Sequence, residues 1–360
     1  MDPNYPVWTP PLYAIFIAIG SFIFGQDQLP IKVLQILADS GTTCVVMLIA
    51  REIVGFRSAL VSGALLVVYP FSIYASLYIG TETFFTFLLS CFILPFLRAK
   101  SSPRLGWYLL AGVTLGAATL MRGTTQFMPL LTLVLLVLLN RPISKQVIIG
   151  YLGFCLSFAL IIAPWTVRNY LVLKEFVPVA TASSVFLQGS REDFLTIDGK
   201  IVGFPKYFSE LEGRGISRPP RDAGPVVWDR YRFRAGLENY RIRAENDPLS
   251  MIPFMLNKFG RIWYATESGR DHAIILLANI PLYILAVVGV ISIVTQRRAP
   301  RSIWILLLII AYFAALHLIS LPLFRYALPI MPYVIVLASA GVLVCFDWRN
   351  RATVWQTTSQ

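Results

Sequence analysis

Long apolar runs separated by short polar loops dominate the chain up to residue 165 and again from residue 272 to residue 346. A helix needs roughly 20 apolar residues to cross a bilayer, and fewer where flanking residues reach the interface. The pattern therefore predicts an all-α, polytopic transmembrane helical protein. We expect nine spans, at residues 31–50, 58–74, 83–97, 105–121, 125–139, 146–165, 272–295, 302–320 and 327–346.

The polar content divides the chain into three regions. An N-terminal transmembrane block covers residues 1–165, and a C-terminal transmembrane block with a polar tail covers residues 272–360. Between them, residues 166–271 are of mixed polarity and form a long segment outside the membrane. A further apolar run at 11–25 is short for a span, and its length favours a re-entrant or interfacial helix on the outer side.

Within the long segment, the valine, threonine and phenylalanine content of residues 176–188, together with a proline, predicts extended structure. A loop over 189–200 follows. Near the end of the segment, apolar residues recur at helical spacing: Ile252, Met255, Leu256, Phe259, Ile262 and Trp263. The polar residues between them fall largely off this stripe: Asn257, Lys258 and Arg261. This amphipathic helix either lies on the membrane surface before the next span or forms the core of a small outer domain.

The composition supports the membrane assignment, since 56% of the 360 residues are hydrophobic, 14% are charged and the mean hydropathy is +0.67. A net charge of +12 raises the question of nucleic acid. However, the basic residues gather in alternate short loops: Arg51, Arg57, Arg98, Lys100, Arg104, Arg141, Lys145, Arg297, Arg298, Arg301, Arg349 and Arg351. The short stretches on the other side hold only Lys32, Arg122 and Arg325.

This asymmetry places the first set in the cytoplasm by the positive-inside rule. The long segment 166–271 is then extracytoplasmic, and its own basic residues do not oppose this because long translocated segments largely escape the rule. The membrane, and not nucleic acid, is therefore the expected partner.

Three arginines stand at outer ends of predicted spans, namely Arg122, Arg168 and Arg325. Ionisable groups at this depth are costly and are candidates for function. The planar donor fork of arginine suits a phosphate at the membrane boundary. The competing explanation is that these side chains reach lipid headgroups without a specific role.

Three further ionisable residues lie in or beside the spans. Glu82 opens a helix after Thr81, so it is either a favourable first-turn acid or a ligand for a hydroxyl group, a sugar or a divalent cation. Asp39 lies well inside its helix, where it either forms an interhelical hydrogen bond or has a functional role. His317, near an outer end, is a buried polar contact or part of a site. No nucleotide-binding, zinc or nucleophile-elbow motif is present.

Several segments resemble the GT-C membrane glycosyltransferases, the group that includes bacterial aminoarabinose transferases and protein O-mannosyltransferases. They occur in the family's order: WTPPLYAIFIAIGSFIFG, LIAREIVGFRSALVSGALLVVYPFSIYASLYIGTETFFTFLL, GAATLMRGTTQFMPLL, APWTVRNYLVLKEFVPVATASSVFLQGS and FRYALPIMPYVIVLASAGV. Each segment alone is degenerate, but the ordered set is fairly specific and covers nearly the whole chain.

The resemblance implies that a sugar moves from a polyprenyl-phosphate donor to a lipid or protein acceptor on the outer side of the plasma (inner) membrane. Arg122, Arg168 and Arg325 would bind the donor phosphate, and Glu82 matches the family's acidic position at the start of a helix. The remaining candidates for the cavity are His317, Tyr326 and Asn169. No cofactor is implied with certainty, and a divalent cation stays open.

The family pattern places a first transmembrane helix and an Asp-bearing loop before WTPPLY, where this sequence almost begins. The resemblance therefore implies an N-terminally shortened chain without the usual base, with little transferase activity. Two alternatives stay open. One is a transporter or lipid-handling membrane protein without chemistry, and the other is a protein that binds the lipid phosphate but has lost catalysis.

Overall fold

The structure, a computed structural model, describes residues 9–139, 142–181, 183–190, 211–269, 271–295 and 300–357, with side chains described up to residue 346. These ranges contain helices and no β-strand, which confirms the all-α fold. The helices are α1 (Pro11–Phe24), α2 (Leu29–Ile53), α3 (Phe56–Val67), α4 (Pro70–Leu77), α5 (Glu82–Ser101), α6 (Leu105–Met121), α7 (Met128–Leu139), α8 (Lys145–Leu173), α9 (Ser183–Gly189), α10 (Pro225–Asn246), α11 (Met251–Arg261), α12 (His272–Val294), α13 (Ile303–Ile319), α14 (Phe324–Ala327) and α15 (Met331–Thr357).

Helices occupy all nine of the positions at which spans were predicted. Within the described ranges, five are long and apolar enough to cross a membrane: α2, α5, α8, α12 and the stretch Phe324–Phe346. The apolar helices α6 and α13 have 17 residues each and α7 has 12. The chain is therefore a multi-pass membrane protein, and the full count of nine spans stays a prediction.

The second predicted span, 58–74, is broken in the structure. Helix α3 ends at Val67, α4 begins at Pro70, and the two axes differ by 53°. Tyr69 is extended and Pro70 occupies the first turn of α4, where its missing N–H needs no partner, so a new helix starts there. The bent pair counts as one further span or as a re-entrant loop.

The centre of the helical bundle is built around α5 and α15. Their inward side chains, including Phe85, Leu89, Ile93 and Tyr333, are at most 1% exposed. The hydroxyl groups of Ser90 and Tyr333 lie 3.0 Å apart, which satisfies two polar groups inside this core. Because α5 is buried over most of its length, it fixes the position of the residue that opens it, Glu82.

Glycines allow two pairs of helices to approach closely. A Cβ atom on Gly112 of α6 would lie 2.0 Å from the Ser157 Oγ atom and 2.3 Å from the Phe154 carbonyl oxygen of α8. Helices α12 and α15 meet in the same way at Gly289 and Gly341. Small residues at helix contacts are typical of membrane proteins, because backbones in lipid associate through close packing.

Helix α8 is longer than the predicted span 146–165. It begins after Ser144, whose hydroxyl caps the Val147 amide, and it ends only at Lys174, which has a left-handed backbone (φ 55°). The expectation that the helix ends on Arg168 is therefore wrong. No helix-breaking residue follows Arg168 before Lys174, and the last turn extends past the apolar run.

The extended structure predicted for 176–188 is also wrong in part, because Ser183–Gly189 form helix α9. Upstream of it, the carbonyl groups of Pro178 and Val179 accept hydrogen bonds from side chains of α8 and not from a neighbouring strand. The segment with the β-branched residues therefore covers the end of α8 and does not pair as a strand. The loop predicted at 189–200 lies outside the described residues beyond Ser190.

The two ends of α5 differ in charge. At the C-terminal end, Arg98 forms an ion pair with Glu52 at 2.9 Å and its guanidinium lies 5.2 Å from the centre of the Trp107 ring. At the other end, roughly 24 Å away along the helix, Glu82 meets two arginines. The short basic loop at Arg98 and the candidate site therefore lie at opposite ends of α5, as the predicted topology requires.

Candidate functional site

Glu82 is fixed by the segments that precede it. The Gln35 amide group of α2 donates to the carbonyl oxygens of Ser76 (2.9 Å) and Tyr78 (2.7 Å), and it accepts from the Tyr13 hydroxyl of α1 at 2.8 Å. These bonds hold the turn between α4 and α5 in place. Thr81 occupies the N-cap position, but its side chain makes no capping hydrogen bond. Glu82 still stands in the first turn of α5, where an acid is favourable, so its position on the helix alone does not identify a functional role.

Two arginines from distant parts of the chain approach the same oxygen of Glu82. The Arg122 Nη1 atom lies 3.6 Å from Glu82 Oε1, and the Arg325 Nε atom lies 3.8 Å from it. Both distances are long for a hydrogen bond. The Glu82 carboxylate therefore offsets part of the positive charge of the two guanidinium groups but leaves their N–H donors available to another acceptor. The Arg122 side chain is 11% exposed and that of Arg325 is 50% exposed, so one cation is buried and the other opens to the surroundings.

The local backbone places Arg122 in this position. Helix α6 ends at Met121, Arg122 itself is extended, and a single 3-10 turn follows at Gly123–Thr125. The Tyr312 hydroxyl of α13 donates to the Thr124 carbonyl oxygen at 2.6 Å, which ties the turn to the second helical block. Among the described residues the Arg122 Nη1 atom has no hydrogen-bond acceptor. A buried donor without an acceptor is costly and calls for an explanation such as a ligand.

Aromatic rings line the site beneath the arginines. The guanidinium carbon of Arg122 lies 4.9 Å from the centre of the Tyr326 ring, and the guanidinium carbon of Arg325 lies 5.1 Å from it. His317 stacks on Tyr326 and is only 3% exposed. Its Nδ1 atom lies 3.3 Å from the Ser320 hydroxyl, while its Nε2 atom has no partner among the described residues.

Two further acids lie near the site, and the sequence analysis singled out only one of them, Asp39. Glu267 accepts a hydrogen bond from Arg325 Nη1 at 2.7 Å and is 62% exposed, so it forms the solvent-facing rim. Nothing in the sequence distinguished Glu267 from the other acids of the long polar segment. Asp39 was considered mainly for an interhelical contact, yet it lines a narrow pocket together with Glu82, Thr83 and Thr86. This pocket has room for about one water molecule.

Arg168 and Asn169 lie beside this cluster on α8. The Arg168 guanidinium carbon lies 4.7 Å from the centre of the Trp165 ring, and Nη1 donates to the Asn169 side-chain oxygen at 3.1 Å. Asn169 is fully buried and donates to the carbonyl oxygens of Val177 and Val179. Val179 in turn comes within 3.9 Å of a Cβ atom placed on Gly123, the neighbour of Arg122.

The structure therefore brings Glu82, Arg122, Arg325, His317 and Tyr326 together. Arg168 and Asn169 lie near the C-terminal end of α8, where Asn169 holds the segment that covers this end of the helix, and Val179 of that segment lies close to Gly123. Along the described part of the chain, no three His, Cys, Asp or Glu side chains gather as in a protein metal site. A divalent cation at Glu82 would need oxygen ligands from hydroxyl groups or a substrate.

The arrangement suits an anionic ligand with a reacting group beside it. Two arginine forks can make paired hydrogen bonds to phosphate oxygens, and the buried position of Arg122 strengthens such contacts. A carboxylate next to the same place can accept a proton.

Comparison with known families gives one match, in which residues 9–167 fit the dolichyl-phosphate-mannose-protein mannosyltransferases. This stretch includes Glu82 and Arg122 and ends next to Arg168. No curated protein sequence matches the chain.

Two solved structures share the fold at low sequence identity, and a third aligns more weakly. The archaeal oligosaccharyltransferase AglB from Archaeoglobus fulgidus, in complex with an inhibitory peptide and a dolichol-phosphate, is 15% identical with a TM-score of 0.58, and the match covers 99% of this chain and 44% of that one. A second structure from Archaeoglobus fulgidus, an oligosaccharyltransferase tethered to an acceptor peptide, is 18% identical with a TM-score of 0.57, covering 96% and 42%. ArnT from Cupriavidus metallidurans bound to undecaprenyl phosphate is 15% identical with a TM-score of 0.39, covering 94% and 68%.

The chain thus spans less than half the length of the oligosaccharyltransferases whose fold it shares.

Proposed function

We propose that this chain, whose sequence and fold support membership in the GT-C glycosyltransferase family, transfers a sugar from a polyprenyl-phosphate donor to a lipid or protein acceptor. The family matched by residues 9–167 uses a dolichyl-phosphate-linked sugar, as its description says. A structure with the same fold holds a dolichol-phosphate and a peptide. We place the reaction on the extracytoplasmic side of the plasma (inner) membrane, following the distribution of basic loops.

The observation that carries the proposal is the pair of arginines around Glu82. A donor phosphate would accept from the Arg122 Nη1 atom, which has no acceptor among the described residues, and from the more exposed Arg325. Arg168 is the third proposed phosphate contact, from near the C-terminal end of α8. His317, Tyr326 and Asn169 line or support the same cavity.

In the proposed reaction, an acceptor hydroxyl attacks the anomeric carbon of the sugar from the side opposite the phosphate. The bond from that carbon to the phosphate oxygen breaks, and the phosphate leaves with the electron pair. Arg122 and Arg325 stabilise the charge that develops on the leaving oxygen. Glu82 takes the proton of the acceptor hydroxyl.

The second candidate is a transporter or lipid-handling protein that binds the lipid phosphate without chemistry. The broken helix pair α3–α4 favours it, because interrupted helices are common at transporter binding sites. Both candidates need the arginines, so transfer and binding have to be measured separately.

The test uses the purified full chain in lipid nanodiscs, with radiolabelled undecaprenyl phosphate for binding and a panel of undecaprenyl-phosphate sugars for transfer. We expect Arg122→Lys to weaken binding roughly 10- to 100-fold, because a charge-assisted hydrogen bond contributes about 1.5–3 kcal/mol and lysine lacks the fork. Arg241→Lys, at an exposed ion pair with Glu245, is the matched control and should bind as the wild type does.

Transfer of the sugar to an acceptor, lost in Arg122→Lys and kept in Arg241→Lys, would support the proposal that the chain is a glycosyltransferase. Binding without transfer for every sugar tested would favour the lipid-handling candidate. Wild-type binding in both variants would exclude Arg122 from a phosphate site.

A further inference from the structure

Helix α11 has two sides of different character. Phe254 and Lys258 face inward and are 5% and 3% exposed. Four apolar side chains on the opposite side, beginning in the turn just before the helix, are open: Leu249 (76%), Ile252 (60%), Leu256 (66%) and Phe259 (48%). Lys258 was expected on the polar side, so the sequence pattern alone does not identify the side that packs on the protein.

Contacts of Lys258 fix the rotation of the helix. Its ammonium group donates to the Gly189 carbonyl oxygen and to the Tyr240 hydroxyl, both at 2.6 Å. The Tyr240 hydroxyl donates in turn to the carbonyl oxygen of Ile319, at the end of α13, at 2.6 Å. A buried ammonium needs such partners, so turning α11 to hide its apolar side would leave the charge unpaired.

The C-terminal end of α11 lies against a membrane-spanning helix. The Trp263 ring packs edge-on against Tyr283 at 5.4 Å, and the Tyr283 hydroxyl donates to the Trp263 carbonyl oxygen at 3.0 Å. Tyr283 lies near the middle of α12, which also exposes Ile274 and Leu277. Helix α11 therefore ends beside a helix that is long and apolar enough to span the membrane and that itself exposes apolar side chains.

We propose that α11 lies in the headgroup layer of the bilayer, with Leu249, Ile252, Leu256 and Phe259 facing the acyl chains. Contact with acyl chains removes the apolar surface of these four side chains from water, and this holds the helix at the interface. Through Lys258, the membrane surface would then position α9, α10 and the end of α13, which carries His317. This inference does not depend on sugar transfer.

Spin labels on single cysteines test the proposal in nanodiscs of phosphatidylcholine and phosphatidylglycerol. The starting variant replaces Cys44, Cys91, Cys155 and Cys345, all of which are free. Labels at Ile252 and Leu256 should collide more with oxygen, which concentrates in lipid, than with a water-soluble nickel complex. A label at the exposed neighbour Asn257, about 100° further round the helix, is the control and should favour the nickel complex.

Preference for nickel at all three positions would overturn the proposal, because the apolar side would then face water. Protection from both reagents at Ile252 and Leu256 would also overturn it, since a protein segment would then cover the helix. As a second measurement, the double variant Ile252→Asp, Leu256→Asp should lower the melting temperature in nanodiscs more than Asn257→Asp does. An equal loss for the two variants would count against lipid contact.

Discussion

The rings of His317 and Tyr326 lie face to face, with their centres 4.5 Å apart and their planes inclined by 9°. The same tyrosine lies within about 5 Å of the guanidinium carbons of Arg122 and Arg325. One aromatic ring therefore positions the buried histidine and both arginines.

We expect Tyr326→Leu to weaken binding of undecaprenyl phosphate roughly 10-fold, because two cation–π contacts contribute about 0.5–2 kcal/mol each. Tyr326→Phe keeps the ring and should bind within about twofold of the wild type. Binding is measured with radiolabelled lipid in nanodiscs. A loss of the same size in both variants would assign the effect to the hydroxyl group and not to the ring.

Glu82→Gln separates two roles of the carboxylate. If Glu82 takes the proton of the acceptor, transfer should fall by about 100- to 10,000-fold. Lipid phosphate should then bind as well as before or better, because both arginines lose a competing anion. Parallel transfer and binding assays on one preparation check this. A loss of binding equal to the loss of transfer would show instead that Glu82 serves to orient Arg122 and Arg325.

Gly112→Leu should disrupt the contact between α6 and α8, since even a Cβ atom at this position would meet Ser157 and Phe154 at 2.0–2.3 Å. Overpacking of this kind typically costs about 1–3 kcal/mol, and the melting temperature in detergent should fall. Gly106→Leu on the same helix is the control, because a Cβ atom there would meet nothing within 4 Å. Similar melting temperatures for the two variants would contradict the close contact.

Stability should rise with pH between about 7 and 10 through Lys258. Burial lowers the pKa of its ammonium group to about 7, from an ordinary value of 10.5. Between these values the unfolded chain holds a proton that the folded chain has released, so raising the pH favours the folded state. Melting temperatures of the wild type and of Lys258→Met, taken at pH 7 and pH 9, should show the larger increase for the wild type. Equal increases would mean that other groups cause the effect.

The apolar periodicity predicted the all-α fold and the positions of the helices well, because burial in lipid demands long apolar runs. The break between α3 and α4 could not be predicted from Pro70 alone, since Pro95, Pro164 and Pro281 lie inside continuous helices. The end of α8 could not be predicted either, since its last turn contains no breaker before Lys174 and is held by side-chain bonds to a loop further on. Residues Ser183–Gly189 form a helix that packs against α10. This contact is between segments distant in sequence, so local composition does not predict it.

Outer position and charge alone were enough to select Glu82, Arg122 and Arg325, which the structure brings together. Glu267 was missed because an exposed acid in a polar segment looks like any other. Lys258 was assigned to the polar side of its helix because helical spacing gives only the relative positions of residues around the axis. It does not tell which side of the helix packs against the protein. The partner groups on α9 and α10 determine that, and they are distant in sequence.

The sharing of one carboxylate by two arginines also sets the charge balance of the proposed reaction. Glu82, Arg122 and Arg325 together carry one net positive charge, and the rim acid Glu267 is offset by Arg168, the third proposed phosphate contact. The sum matches the single negative charge of a phosphodiester donor. After transfer, the released lipid phosphate is a monoester with close to two negative charges at neutral pH. If Glu82 has by then taken up the acceptor's proton, the trio carries two positive charges, so the site stays close to electroneutral on both sides of the step. Loss of that proton to water would restore the repulsion between Glu82 and the product, and the product would be released.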